Sequence, residues 1–257
     1  MKILKSFATM SLKIKDKFIL ISGATSDIGF AIAKDLAINY NLILHGRNIE
    51  KITKLASEIT NKKRILFWKY DLNNVENLSA DLTLFLESNL IVVESFIHVA
   101  ATIKILPIKS FKLEYSSKIF NVNFFSAVEI IRSLSLKSNR ENFNNIILIS
   151  AYFSKFGNKG NSIYAATKGA LDSLVKSLAV ELAPKVRVNS ILPGAIRTKM
   201  TNHLFEDETH MSGFRNKYLL GEGCAKDISN MVVFLLSNNA SWITGQNFFV
   251  DGGASSH

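Results

Sequence analysis

The chain has 257 residues, 47% of them apolar and 20% charged, with a formal net charge of +10. That length accommodates one α/β domain with a substantial core, or two small ones. No apolar run is long enough to span a bilayer, and no basic run interleaves with aromatics, so neither a membrane span nor a nucleic-acid partner is expected.

The first stretch, MKILKSFATMSLKIKDKF, is interrupted by charge before any signal-peptide core forms. Residues 1–16 are read as a disordered lead-in, with Met10 as an alternative start. From Lys17 onward, β-rich apolar runs alternate with segments of helical period. KFILISG reads as a strand and IGFAIAKDLAINY as a helix; NLILHG is a strand and IEKITKLASEI a helix. RILFWKYD and VENLSADLTLFLES repeat the pair, and VVESFIHVA is a fourth strand. A long helix, LEYSSKIFNVNFFSAVEIIRSLSL, precedes the strand NNIILIS; SIYAATKGALDSLVKSLAVELA precedes VRVNSIL. DISNMVVFLLSN and QNFFVDG close the series as helix and strand.

Strands that are apolar nearly throughout, each joined to the next by a helix, predict a parallel sheet covered on both faces. The expected fold is therefore one doubly wound α/β domain over 17–257, with about seven strands and right-handed crossovers. The segment 198–223 is polar and weakly periodic, which suits a loop that covers a ligand. Cys224 is the single cysteine, so no internal disulfide forms and no cysteine–histidine cluster has metal-ligand spacing. A reducing cytoplasm fits, and Cys224 is read as a packed or loop residue rather than a nucleophile.

The first strand runs into Ser22-Gly23-Ala24-Thr25-Ser26-Asp27-Ile28-Gly29 and then directly into a helix. A glycine turn there lets backbone amides approach a pyrophosphate at the positive helix end. The second strand ends His45-Gly46-Arg47-Asn48 without the carboxylate that would bind a ribose diol, and Arg47 offers a cation to a 2′-phosphate. NADP(H) is thus preferred to NAD(H). Asp71, after the third strand, reads equally as a partner for an adenine amine or as a helix N-cap.

With these residues, the chain from Lys17 to Gly253 resembles the short-chain dehydrogenases/reductases, a Rossmann-type family, and among them the 3-oxoacyl-carrier-protein reductases. The family's glycine turn is similar to Ser22–Gly29, its Tyr-x-x-x-Lys to Tyr164 and Lys168, and its helix asparagine to Asn123. PGAIRT at 193–198 and the closing VDGG complete the match. The resemblance implies catalysis by Tyr164, Lys168 and Asn123, with Ser150 as a candidate hydroxyl. It implies a cofactor held by Gly23, Thr25, Ser26, Asp27, Ile28, Arg47, Asp71, Leu72 and Ala100. Tyr164, Lys168, Pro193, Gly194, Ile196 and Thr198 complete that set, and no metal is expected. Lys168 would lower the phenol pKa of Tyr164, and Asn123 would position a relay water. Three departures stand out. Asp27 replaces the middle glycine of the turn and could cap the helix; His98 stands where the family has asparagine; Ala151 stands where it has the active-site serine. Loss of that hydroxyl typically costs on the order of 10²–10³ in rate, unless Ser150, Ser154 or the substrate supplies the bond.

These readings predict an oxidoreductase acting on a small-molecule or carrier-linked carbonyl, either a 3-oxoacyl thioester or a nucleotide-linked keto sugar. The positive charge suits both substrates. A weakened or inactive subunit that keeps the cofactor or serves a partner structurally is the alternative. A homo-oligomer, dimer or tetramer, is implied by the resemblance.

Overall fold

The computed structural model describes residues 15–60, 63–198, 202 and 217–256. Seven strands form one sheet: β1 (Asp16–Ser22), β2 (Asn41–Gly46), β3 (Ile65–Lys69), β4 (Ile91–His98), β5 (Asn145–Ile149), β6 (Arg187–Pro193) and β7 (Asn247–Val250). Their order is β3-β2-β1-β4-β5-β6-β7, and every neighbouring pair is parallel. The expected lead-in falls outside the described residues except for Lys15 and Asp16, and Asp16 already begins β1.

Among the described residues the helices that join the strands are α1 (Asp27–Leu36), α2 (Ile49–Ser57), α3 (Leu78–Ser88), α4 (Leu113–Phe120), α5 (Ser126–Leu134), α6 (Ser162–Leu182) and α7 (Ala225–Leu236). Successive strand residues point to opposite faces, so a strand covered on both sides must be apolar at every position. In β1, Phe18 and Leu20 enter the core beneath α3, α5 and α6, while Ile19 and Ile21 enter the core beneath α1, α2 and α7. This explains the continuous apolar run FILI. The long helix expected from Leu113 is present as α4 and α5, joined by a single π turn over Asn121–Phe125.

The strand order turns back between β1 and β4, because β2 and β3 extend to one side and β4 to β7 to the other. At such a point the loops leaving the strand ends separate and open a crevice. The turn after β1 and the segments after β4, β5 and β6 all emerge there. Much of the expected covering segment, 199–201 and 203–216, lies outside the described residues.

Candidate active site

The turn after β1 is shaped by close backbone packing. Gly23 adopts φ +67°, and a Cβ there would lie 2.6 Å from Ala100 Cα. A Cβ on Gly29 would lie 2.4 Å from the Gly23 carbonyl oxygen, so helix α1 can sit on the turn only with glycine at that position. Ser26, not Asp27, caps α1. Its Oγ accepts from the Gly29 N–H at 3.1 Å and donates to the Gly23 carbonyl at 2.8 Å. Asp27 is the first residue of the helix, where its negative charge faces the positive end of the dipole. Thr25 and Ile28 complete the turn as half-buried residues.

His45, at the end of β2, was not singled out by the sequence. Its Nδ1 accepts from the Gly23 N–H at 3.3 Å and its Nε2 donates to the Tyr70 carbonyl at 3.1 Å, with the ring tilted against Trp68. Burial pushes its pKa down to about 4, so the neutral ring supplies the acceptor the turn needs. Arg47 is exposed just beyond, and Asn48 caps α2. Asp71 does not cap a helix: its carboxylate accepts from the Asn73 N–H at 3.1 Å, and α3 begins later, at Leu78 behind Asn77. Leu72 and Ala100 are buried beside these turns.

His98, where the family has asparagine, is fully buried at the end of β4. Ser22 Oγ donates to its Nδ1 at 2.9 Å, and its Nε2 donates to the Asn123 carbonyl at 3.2 Å. Burial, reinforced by the charge of Lys168, holds its pKa down to about 3. It therefore stays neutral and ties the end of β1 to the π turn. Asn123 in that turn accepts from the Thr102 N–H at 2.7 Å and donates to the Thr102 carbonyl at 3.0 Å and to Thr167 Oγ1 at 3.1 Å. Its side chain thus clamps α6 and the segment after β4, rather than offering a free amide to water.

Helix α6 carries Tyr164 and Lys168 one turn apart on the same face. Lys168 is buried, and its Nζ donates to the Ile149 carbonyl at 2.8 Å and lies 5.7 Å from the Tyr164 ring centre. Burial lowers its pKa to about 8, against an upward pull from Asp172. Tyr164 differs from expectation: burial pushes its phenol up to about 12. The ammonium is aimed at a main-chain carbonyl, so loss of hydration outweighs its influence on the phenol.

Ala151 is buried at the start of the short helical turn that follows β5. Neither neighbouring serine presents its proton to the crevice. Ser150 Oγ donates to the Lys168 carbonyl at 3.1 Å, and Ser154 Oγ donates to Asp172 Oδ2 at 2.5 Å. Ser150 therefore braces α6, as alternation along the strand would suggest, and does not replace the missing hydroxyl.

After β6, the Gly194 N–H bonds to the Val250 carbonyl at 3.0 Å, and a Cβ on Gly194 would lie 2.7 Å from Asp251 Cα. Pro193 ends the strand, Ile196 bridges to Gly223, and Thr198 is half-buried. Arg197 makes a two-point pair with Glu222, at 2.8 and 3.0 Å. Tyr218 is a second residue the sequence did not flag; its hydroxyl accepts from the Ala195 N–H at 3.2 Å. Cys224 is exposed at the N-cap of α7 rather than packed. Among the described residues, no group of His, Cys, Asp or Glu is placed to hold a metal, and no helix is long and apolar enough to cross a membrane.

A family model described as enoyl-(acyl carrier protein) reductase matches residues 23–255. A solved short-chain type dehydrogenase/reductase from Mycobacterium ulcerans superposes with a TM-score of 0.85 at 27% identity, covering 93% of this chain and 90% of that one. The chain belongs to the short-chain dehydrogenase/reductase family. This short-chain dehydrogenase/reductase is 31% identical to the 3-oxoacyl-(acyl-carrier-protein) reductase of Buchnera aphidicola subsp. Baizongia pistaciae, over 94% of its own length and 98% of the relative's. The fold is also that of a gluconate 5-dehydrogenase from Burkholderia cenocepacia solved with NADP and tartrate. That structure has a TM-score of 0.85 at 22% identity and covers 95% of this chain and 97% of that one. The protein is thus an oxidoreductase of this family, with the Rossmann-type sheet the sequence predicted.

Proposed function

We propose that the protein interconverts a carbonyl and a secondary alcohol with NADP(H), on a 3-oxoacyl thioester presented by an acidic carrier. One observation carries this reading: Tyr164 and Lys168 share a face of α6 at the strand ends, and Thr167 between them is tied through Asn123, His98 and Ser22 to the glycine turn after β1. The turn fits a dinucleotide, because it leads into a helix N-terminus where the strand order turns back. Arg47, exposed where β2 ends in His45-Gly46-Arg47-Asn48 without an acidic residue, would take the 2′-phosphate. Gly23, Thr25, Ser26, Asp27 and Ile28 would hold the pyrophosphate, Asp71, Leu72 and Ala100 the adenine side, and Pro193, Gly194, Ile196 and Thr198 the nicotinamide side. Bound there, the nicotinamide supplies or accepts the hydride.

The chain's own residues handle the proton. Tyr164, with its phenol pushed up to about 12, is protonated at neutral pH and gives that proton to the carbonyl oxygen during reduction. Lys168, lowered to about 8, is predominantly the ammonium at neutral pH, where it orients the ribose and favours the developing phenolate. Reduction should therefore slow as pH rises through about 8, when Lys168 loses its proton. Asn123 locks α6 against the π turn. With Ala151 in place of a hydroxyl, part of the orientation of the carbonyl falls to the substrate itself.

The relatives named as 3-oxoacyl-(acyl-carrier-protein) reductases and the net positive charge support a carrier-linked substrate; a nucleotide-linked keto sugar shares the charge argument. A cytoplasmic homo-oligomer packed through α5 and α6 belongs to the same proposal. A second reading, a weakened subunit that serves a partner, is favoured by the engagement of both Ser150 and Ser154. Fluorescence titration with NADPH and NADH, followed by NADPH oxidation with acetoacetyl thioesters, separates the two. Tighter NADPH binding with turnover lost in Tyr164→Phe supports the enzyme. Nucleotide binding without turnover of either substrate class supports the subunit.

A further inference from the structure

Asp172 lies on α6 one turn beyond Lys168 and is 1% exposed. Three groups from two segments converge on its carboxylate. Ser154 Oγ, from the loop after β5, donates at 2.5 Å, and Lys155 Nζ of the same loop pairs with it at 3.2 Å; Ser190 Oγ of β6 lies 3.2 Å away, its single proton shared with the nearer Asn247 Oδ1 at 2.9 Å. A buried carboxylate is costly unless it is compensated, and this one is compensated chiefly by Ser154 and Lys155 of the loop after β5. It also follows Lys168 by four residues, the spacing at which side chains on a helix meet. Lys168 is itself a buried cation, and the Asp172 charge opposes the effect of that burial.

We propose that Asp172 is a positioning residue for the Tyr164–Lys168 pair, holding Lys168 as the ammonium and clamping the Ala151-bearing loop onto α6 through Ser154. The proposal rests on reading the protein as a carbonyl reductase, and it extends the active site to a side chain outside the family motif. The titratable or charged groups facing Lys168 among the described residues are Tyr164 and Asp172 on its own helix and His98 on β4; Lys155 acts from the β5 loop through Asp172. His98 stays neutral above about pH 3, so between pH 6 and 10 it adds no charge beside Lys168.

The coupling can be read without turnover. Lysines labelled with ¹³C at Cε are titrated by NMR, with the Lys168 signal identified by its loss in Lys168→Met. Asp172→Asn keeps an acceptor for the serines but removes the charge, and should lower the Lys168 midpoint by roughly one pH unit. Lys155→Met strips the carboxylate of its competing cation and should move the midpoint upward. Ser154→Ala loosens the clamp but keeps the charge, and should leave the midpoint in place. An unmoved midpoint in Lys155→Met overturns the proposal, even if Asp172→Asn fails to fold. With an acetoacetyl thioester and NADPH, the alkaline limb of the rate profile should follow the same signs. A moving midpoint in a protein that reduces no carbonyl would sink the reductase reading and keep the coupling. Turnover with a fixed midpoint would sink the coupling alone.

Discussion

The turn after β1 owes its shape to side chains that are missing, whereas the helix after β5 owes its chemistry to side chains that are buried. At the turn, Gly23 and Gly29 let the backbone approach within distances no Cβ allows, and His45 contributes only a neutral acceptor. At α6, loss of hydration raises the Tyr164 phenol and lowers the Lys168 ammonium, while the buried Asp172 is held by hydroxyl donors and a lysine. Geometry of the first kind suits the proposed dinucleotide, and electrostatics of the second kind suits the proposed proton transfer. The two are connected by hydrogen bonds from Ser22 to His98, from His98 to Asn123 and from Asn123 to Thr167 of α6.

The sharpest way to separate the regions is Tyr164→Phe. It should cut turnover by roughly 10²–10⁴ while leaving NADPH affinity within about threefold, measured by stopped-flow reduction and fluorescence titration. An equal loss in both would mean that the two regions are not separable. Next in size is Ala151→Ser, which places a hydroxyl on the extended residue that opens the helical turn after β5. Reduction should accelerate by up to about 10², the usual value of one such donor, with the gain in kcat. No gain would show that the loop clamped by Ser154 no longer presents position 151 to substrate.

The strands and helices were legible because burial on both faces leaves a plain trace, a continuous apolar run, and FILI and IILI carry it. Tyr164, Lys168 and the glycine turn were legible as spacing. Asp172 was not: a carboxylate on a long helix reads as solvated surface, and its partners Ser154 and Ser190 come from two other segments. His45 was hidden for the same reason, since the Gly23 N–H that it accepts belongs to another strand's turn. The rise of the Tyr164 pKa was missed because spacing gives proximity to Lys168 but not the direction of its ammonium.

Acid stability tests the connection between the two regions. The pKa of His98 is depressed from 6.5 to about 3, so between those values the unfolded chain binds the proton and the folded one does not. Stability must therefore fall as pH drops below about 6.5. In His98→Asn, the loss of stability between about pH 6.5 and pH 4.5 should be smaller by roughly 2 kcal/mol, read from urea midpoints at each pH. The same slope in both proteins would place the proton elsewhere. The smallest expected effect is Arg47→Ala, which should weaken NADPH about tenfold and leave NADH unchanged in paired titrations.

The π turn over Asn121–Phe125 has a consequence of phase. One additional residue in a helical turn advances everything beyond it by about 100° around the axis. With that offset, Asn123 is directed at Thr102 and Thr167, while Ala127, Ile130, Ile131 and Leu134 still settle on the sheet. A chain shortened by one residue there would keep its composition and helical propensity. It would have to choose between a seated core and an aligned Asn123, so single-residue deletions across 121–125 should be far less tolerated than substitutions.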